Sequence, residues 1–180
     1  SAWMAEAERR GLVNLPNTAA ALPAYIRPKN VALMTKHGVY TTSEMLARHE
    51  IHMEKYCKLI SIEAATLVDM VQHAASRYEG VLCQTILQKK QALPHADCRV
   101  ETALAESILT LNGELLDDTV ALKTALETAP ETDGEHMLRY YHDTIFAQMN
   151  KVRASIDKLE TLTATEYWPY PSYYDMLFSV

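Results

Sequence analysis

The chain has 180 residues, 48% of them hydrophobic and 22% charged, with a formal charge of −6. That is enough chain to bury a core, and mild acidity without a dense Lys/Arg cluster argues against nucleic acid as a partner. No stretch approaches the ~20 consecutive apolar residues of a membrane span, and no secretory signal opens the chain.

A short helix is expected over Trp3 to Arg10, stopped by Gly11. Asn14 to Thr18 reads as a turn, with Thr18 capping a brief Ala19 to Leu22 segment before Pro23. A helix of two to three turns should follow Pro28 and end at Lys36-His37-Gly38, where basic residues precede a glycine. Thr41-Thr42-Ser43-Glu44 matches a capping box. From there Leu46, Met53, Cys57, Ile60, Ala64, Leu67, Val71, Ala74, Tyr78 and Val81 recur at helical steps. One helix to Lys90 would be roughly 70 Å long, with a bend at Gly80 and an end before Pro94. Asp97 should cap a second long helix, with Val100, Leu104, Ile108, Leu111, Leu115, Leu122 and Leu126 facing the core. Thr132-Asp133-Gly134-Glu135 offers another capping box before a third helix, whose stripe is Leu138, Tyr141, Ile145, Met149, Val152, Ile156, Leu159 and Leu162. Short connections imply antiparallel neighbours. The expected fold is all-α: an antiparallel bundle of three long helices, with short N-terminal helices and an extended C-terminal tail. As one compact domain it divides into 1–41, 42–165 and 166–180.

The tail differs in kind from the rest. Pro169 and Pro171 hold it extended and oppose helix. Tyr167, Trp168, Tyr170, Tyr173 and Tyr174 crowd around them in a chain with only two Trp and two Phe. So many rings should dock against something, with Trp168 substantially buried. The candidate docking residues are Tyr167, Trp168, Pro169, Tyr170, Pro171, Tyr173, Asp175, Leu177 and Phe178.

No catalytic constellation accompanies it. His49 and His52 flank Glu50 and Ile51 at a spacing of three, where the zinc-protease helix needs four. No glutamate has a histidine three residues on, which removes the di-iron bundle enzymes. Glu63 beside an apolar run reads as a flanking carboxylate paired to a neighbouring helix. Cys57 on the stripe reads as a small core residue. Cys57, Cys83 and Cys98 form no C-x-x-C, so reduced thiols in a cytoplasmic protein are expected. There is no Gly-rich phosphate loop and no G-x-S-x-G elbow. The chain opens on Ser1-Ala2 without an initiator Met, as a piece of a longer protein would.

Tyr167-Trp168-Pro169-Tyr170-Pro171, then Tyr173 and Asp175-Met176-Leu177-Phe178, resembles the Y-W-P-[FY]-P-x-Y-x-D-[LM]-L-F ending of the type III glutamine synthetases, the long bacterial form of that enzyme. Glu8-Arg9-Arg10-Gly11-Leu12, Leu22-Pro23-Ala24, Lys29 to Leu33, Lys36 to Thr41 and Ile62-Glu63-Ala64 resemble further segments of the same family, in the same order. Tyr174 stands where the family often has a small residue, and Val100 to Leu126 carries little of its pattern.

The resemblance implies the C-terminal helical region of an ATP-dependent glutamate–ammonia ligase. The full-length enzyme would use ATP and Mg or Mn ions, while this region would hold no cofactor, metal or catalytic residue. Its partners would be the enzyme's own catalytic domain and neighbouring subunits of a double-ring assembly, in the cytoplasm, with no nucleic acid or membrane. Two other readings stay open: a free-standing helical interaction bundle, and a fragment that lends residues to a neighbouring active site.

Overall fold

The computed structural model describes residues 2–74, 76–130, 134–171 and 173–178; for 72–74, 76, 77 and 173 it describes the backbone alone. Every element among the described residues is helical, and none is a strand. In chain order these are α1 (Ala2–Arg9), α2 (Thr18–Tyr25), α3 (Pro28–Lys36), α4 (Thr42–Ala74), α5 (Ser76–Ala92), α6 (Arg99–Glu127) and α7 (Gly134–Tyr140). A π-helical segment (Tyr141–Phe146) leads into α8 (Ala147–Leu162), and a 3-10 turn (Thr165–Tyr167) precedes α9 (Tyr173–Phe178).

Local chemistry sets most of the boundaries. Gly11 and Gly38 have φ of +74° and +63°, the left-handed geometry that ends a helix without a Cβ clash. Pro28 occupies the first turn of α3, where its missing N–H costs nothing. At the start of α4, Glu44 Oε2 accepts from the Thr41 backbone N–H at 2.7 Å and from its hydroxyl at 2.8 Å. The Glu44 N–H donates back to Thr41 Oγ1 at 3.3 Å, which completes the capping box.

Three boundaries differ from expectation. Asn17, one residue before Thr18, caps α2 by accepting from Ala20 N–H at 2.8 Å, and the helix continues through Pro23. Packing overrides the proline here: Leu22 lies against a buried cluster and Ala24 is itself buried. Cys98 takes the N-cap position of α6, and Asp97 reaches one residue further to accept from Arg99 N–H at 3.0 Å. Gly80 lies inside α5, and the junction between α4 and α5 falls on residue 75, outside the described residues. The tail is extended only around its prolines, because α9 begins just beyond Pro171, where Pro no longer restrains the backbone. The second capping box, expected over Thr132 to Glu135, rests on Thr132 and Asp133, which lie outside the described residues, as do the Ala74 and Tyr173 side chains.

The chain gathers into two compact units. One comprises Ser1–Ser61 with Ala129–Thr144, the other Ile62–Thr128 with Ile145–Val180. In the first, Met53, Cys57 and Leu138 form a buried cluster flanked by Ala19, Leu22, Tyr56, Met137 and Tyr141. Leu46, expected inside, is exposed, and its neighbour Met45 is buried instead.

In the second unit α6 packs against α5 and α8. Lys89 pairs with Glu101 near the turn, and Asn112 donates to Glu79 at 2.7 Å about three turns away, so α5 and α6 run antiparallel. Ile108, Leu115 and Leu122 on α6, and Val152 and Leu159 on α8, are buried at seven-residue spacing, the seam of a coiled-coil-like contact. Gln148 on α8 donates to the Asp118 carbonyl at 3.0 Å and to its carboxylate at 2.9 Å. Thr119, buried on the seam, satisfies its hydroxyl by donating to the Leu115 carbonyl at 2.6 Å. Val100, expected in the core, is exposed at the open end of α6.

Candidate functional site

The aromatic tail belongs to the second unit. Its first half is anchored. The Tyr167 ring lies against Tyr78 of α5 at 5.2 Å between centroids, tilted by 30°. Trp168 stands edge-on to Tyr170 at 6.4 Å, and the Tyr170 hydroxyl donates to the Met70 carbonyl of α4 at 2.8 Å. A carbonyl keeps a second lone pair beyond its helical bond, so it can take this donor without breaking the helix. Tyr167, Trp168 and Tyr170 are half-buried, whereas Pro169 and Pro171 are exposed. The prolines therefore contribute backbone direction, while Tyr167 and Tyr170 make the contacts to the helices.

The second half is uncovered. In α9, Tyr174 and Phe178 stack on each other at 4.9 Å, one turn apart. Tyr174, Met176, Leu177 and Phe178 remain exposed, Leu177 at 75% and Phe178 at 65%, and Asp175 is exposed beside them. A six-residue helix has little stability of its own in water. Its apolar side chains gain nothing from exposure. Trp3, Met4, Leu12 and Val13, at the start of the first unit, are also exposed.

The other sequence candidates separate. His49 is buried, while His52 is exposed, so the two do not converge on one ion. Glu63 is exposed and, among the described residues, has no ion-pair partner. Cys57 is buried, and burial pushes its thiol above the usual range, which suits packing and disfavours a thiolate. Cys83 and Cys98 are free thiols, exposed and buried respectively. Among the described residues no three His, Cys, Asp or Glu side chains come together as metal ligands would, so they do not fit the divalent ions implied for the full-length enzyme. No described helix is long and apolar enough to cross a membrane. Sequence reasoning had no access to Met70 as an anchor, because it contributes a backbone carbonyl. Tyr78 stood out only as a core residue.

Comparison with known proteins bears on what this surface serves. The model of the glutamine synthetase C-terminal domain matches residues 1–90. The chain belongs to that family. A glutamine synthetase of Butyrivibrio fibrisolvens is 33% identical over 99% of the chain and 26% of the relative. A type-3 glutamine synthetase of Dictyostelium discoideum is 28% identical over 98% of the chain and 25% of the relative. A glutamine synthetase of Bacteroides fragilis (strain YCH46) is 25% identical over 98% of the chain and 26% of the relative. The chain thus spans about a quarter of the length of the relatives it matches.

Proposed function

We propose that this glutamine synthetase C-terminal domain is the accessory and assembly region of a cytoplasmic bacterial enzyme of the type III form, and that it does not catalyse by itself. The observation that carries the proposal is α9: a short helix whose Tyr174, Met176, Leu177 and Phe178 are exposed although its neighbours Tyr167 and Tyr170 are anchored. Apolar side chains held out on a tethered helix suit a surface that completes itself against another polypeptide. In this proposal that surface belongs to the catalytic body of the same enzyme or to the next subunit of a ring. ATP and Mg or Mn act in the catalytic body, where glutamate and ammonia are joined. The antiparallel bundle of three long helices is part of the same proposal, supported by α6 packing against both α5 and α8.

Two measurements test it. The 180-residue chain alone should form no glutamine in an ATP-coupled assay. In the full-length enzyme, Leu177→Asp with Phe178→Asp should shift the assembly to smaller species in sedimentation. Glutamine formation by the chain alone, abolished by a substitution within it, would overturn the non-catalytic role. An intact ring in the double variant would remove α9 from assembly.

A further inference from the structure

Helix α6 carries two rows of residues at heptad spacing. The first, Ala105, Ile108, Leu115, Thr119 and Leu122, is buried within the second unit. The second starts one residue later, about 100° round the helix: Glu106, Leu109, Gly113, Leu116, Val120 and Lys123, at alternating steps of three and four. All six are exposed, Leu109 at 48%, Leu116 at 63% and Val120 at 56%. Glu106 and Lys123, at the two ends of the row, have no ion-pair partner among the described residues.

Gly113 is the unexpected member. It lies in the middle of a 29-residue helix, where glycine is less favourable than every residue except proline. A Cβ there would meet nothing within 4 Å, so no packing among the described residues calls for the glycine. What it leaves is a hole in the helix surface, with Leu109 one turn before it and Leu116 one turn after.

Read backwards, the row complements itself. Laid antiparallel on a second copy, about a twofold axis passing between Gly113 and Leu116, it sets Glu106 against Lys123, Leu109 against Val120 and Leu116 against Gly113, each pair twice. Opposite charges meet at the ends, apolar side chains meet inside them, and each Leu116 is a knob for the hole over the other copy's Gly113. A basic partner helix would satisfy Glu106 and repel Lys123, and an acidic one the reverse. We propose that this face of α6 is a homotypic interface, where two copies of the chain pack α6 on α6, antiparallel and isologous. The contact takes nothing from α9 and stands apart from the role proposed for that helix. One helix pair buries less than the roughly 1,600 Å² of a standard stable interface, so the contact is weak between free chains and acts between copies held in one assembly.

The test is disulfide trapping in the full-length enzyme. Leu109→Cys with Val120→Cys, oxidised briefly, should link two copies, because facing positions of an antiparallel pair lie within bridging reach. Within one helix the two positions are about 16 Å apart, too far to bridge internally. The parent enzyme, which keeps the exposed Cys83, sets the background. Adding Gly113→Gln should slow the link roughly tenfold or more by filling the hole. The same substitution should leave the melt of the 180-residue chain level or raise it, since glutamine is the better helix former and meets no neighbour. Adding Glu106→Lys instead should slow the link roughly tenfold, and Lys123→Glu on top of it should restore the rate. No linked pair above background, a bridge to another segment of the enzyme found by peptide mapping, or a rate unmoved by Gly113→Gln or Glu106→Lys would each overturn the proposal. So would a charge exchange that restores nothing.

Discussion

Helices α6 and α9 both carry large apolar side chains, and the two dispose of them in opposite ways. On α6 the row through Ile108, Leu115 and Leu122 is buried against α5 and α8, and polar Asn112 and Thr119 close hydrogen bonds beside it. On α9 the side chains of Tyr174, Met176, Leu177 and Phe178 stay in solvent, although the segment leading to them is tied down by Tyr167 and Tyr170. A long helix with a seven-residue apolar period carries its own instruction for burial, because its partner is another helix of the same period. A short helix after two prolines has no such period, and nothing among the described residues covers it.

The sharpest way to break that comparison is to put charge on the buried row. Ile145→Asp or Val152→Asp buries an unpaired carboxylate and should cost on the order of 3–5 kcal/mol in urea or thermal unfolding. Lys151→Asp and Lys158→Asp, on exposed positions of the same helix, should be nearly silent. Equal damage from both pairs would show that the buried row is misplaced.

Adjacent leucines give a finer version. Leu115 is 2% exposed and Leu116 is 63% exposed. Leu115→Ala should cost about 2–4 kcal/mol through lost contacts and a cavity. Leu116→Ala should stay within about 0.5 kcal/mol in the isolated chain. Similar losses at the two positions would mean that α6 buries more than one face.

The tail divides in the same manner at smaller scale. Tyr170→Phe removes the bond to the Met70 carbonyl and should cost about 1 kcal/mol. Truncation after Thr165 should lower the melting temperature further, since the Tyr167–Tyr78 contact is lost as well. Leu177→Ala should leave the melt of the isolated chain unchanged. A melt as sensitive to Leu177 as to Tyr170 would place the cover of α9 within this chain.

The residues themselves explain what was legible in advance. Devices that act within four residues were visible: Thr41 with Glu44, the stops at Gly11 and Gly38, and Pro28 in the first turn of α3. The α8 row was visible too, because Val152 and Leu159 recur at seven-residue spacing, with only the small Ser155 buried between them. At the start of α4 the buried row is Met45, His49 and Met53, and the histidine in its middle disguised it. Choosing Leu46 over Met45 rotated that end by one residue, about 100°. The π-helical turn at Tyr141–Phe146 takes one residue more than an α turn, which an apolar period does not register. The tail motif marked where to look. It did not reveal that half of the motif would be anchored through a backbone carbonyl and half left in solvent.

The smallest effect concerns the capping box, where the stabilising contact is wholly local. Hydrogen bonds from the Thr41 backbone N–H first, and then from its hydroxyl, hold the Glu44 carboxyl below its usual range, with a further push from the Arg48 charge. A carboxyl whose folded value lies below its unfolded value stabilises the fold in full above the unfolded value, about 4.3 for glutamate, and loses that contribution as pH falls through the depressed value. Glu44→Gln keeps an acceptor oxygen for the cap and removes the titration. At neutral pH wild type should therefore melt slightly above Glu44→Gln, because the charged acceptor is the stronger one and sits at a helix N-terminus. Paired melts carried down into the acid range should converge once the wild-type carboxylate is protonated. A gap that persists unchanged to the lowest pH, or that widens on acidification, would show that the Thr41–Glu44 contact is not what stabilises the start of α4.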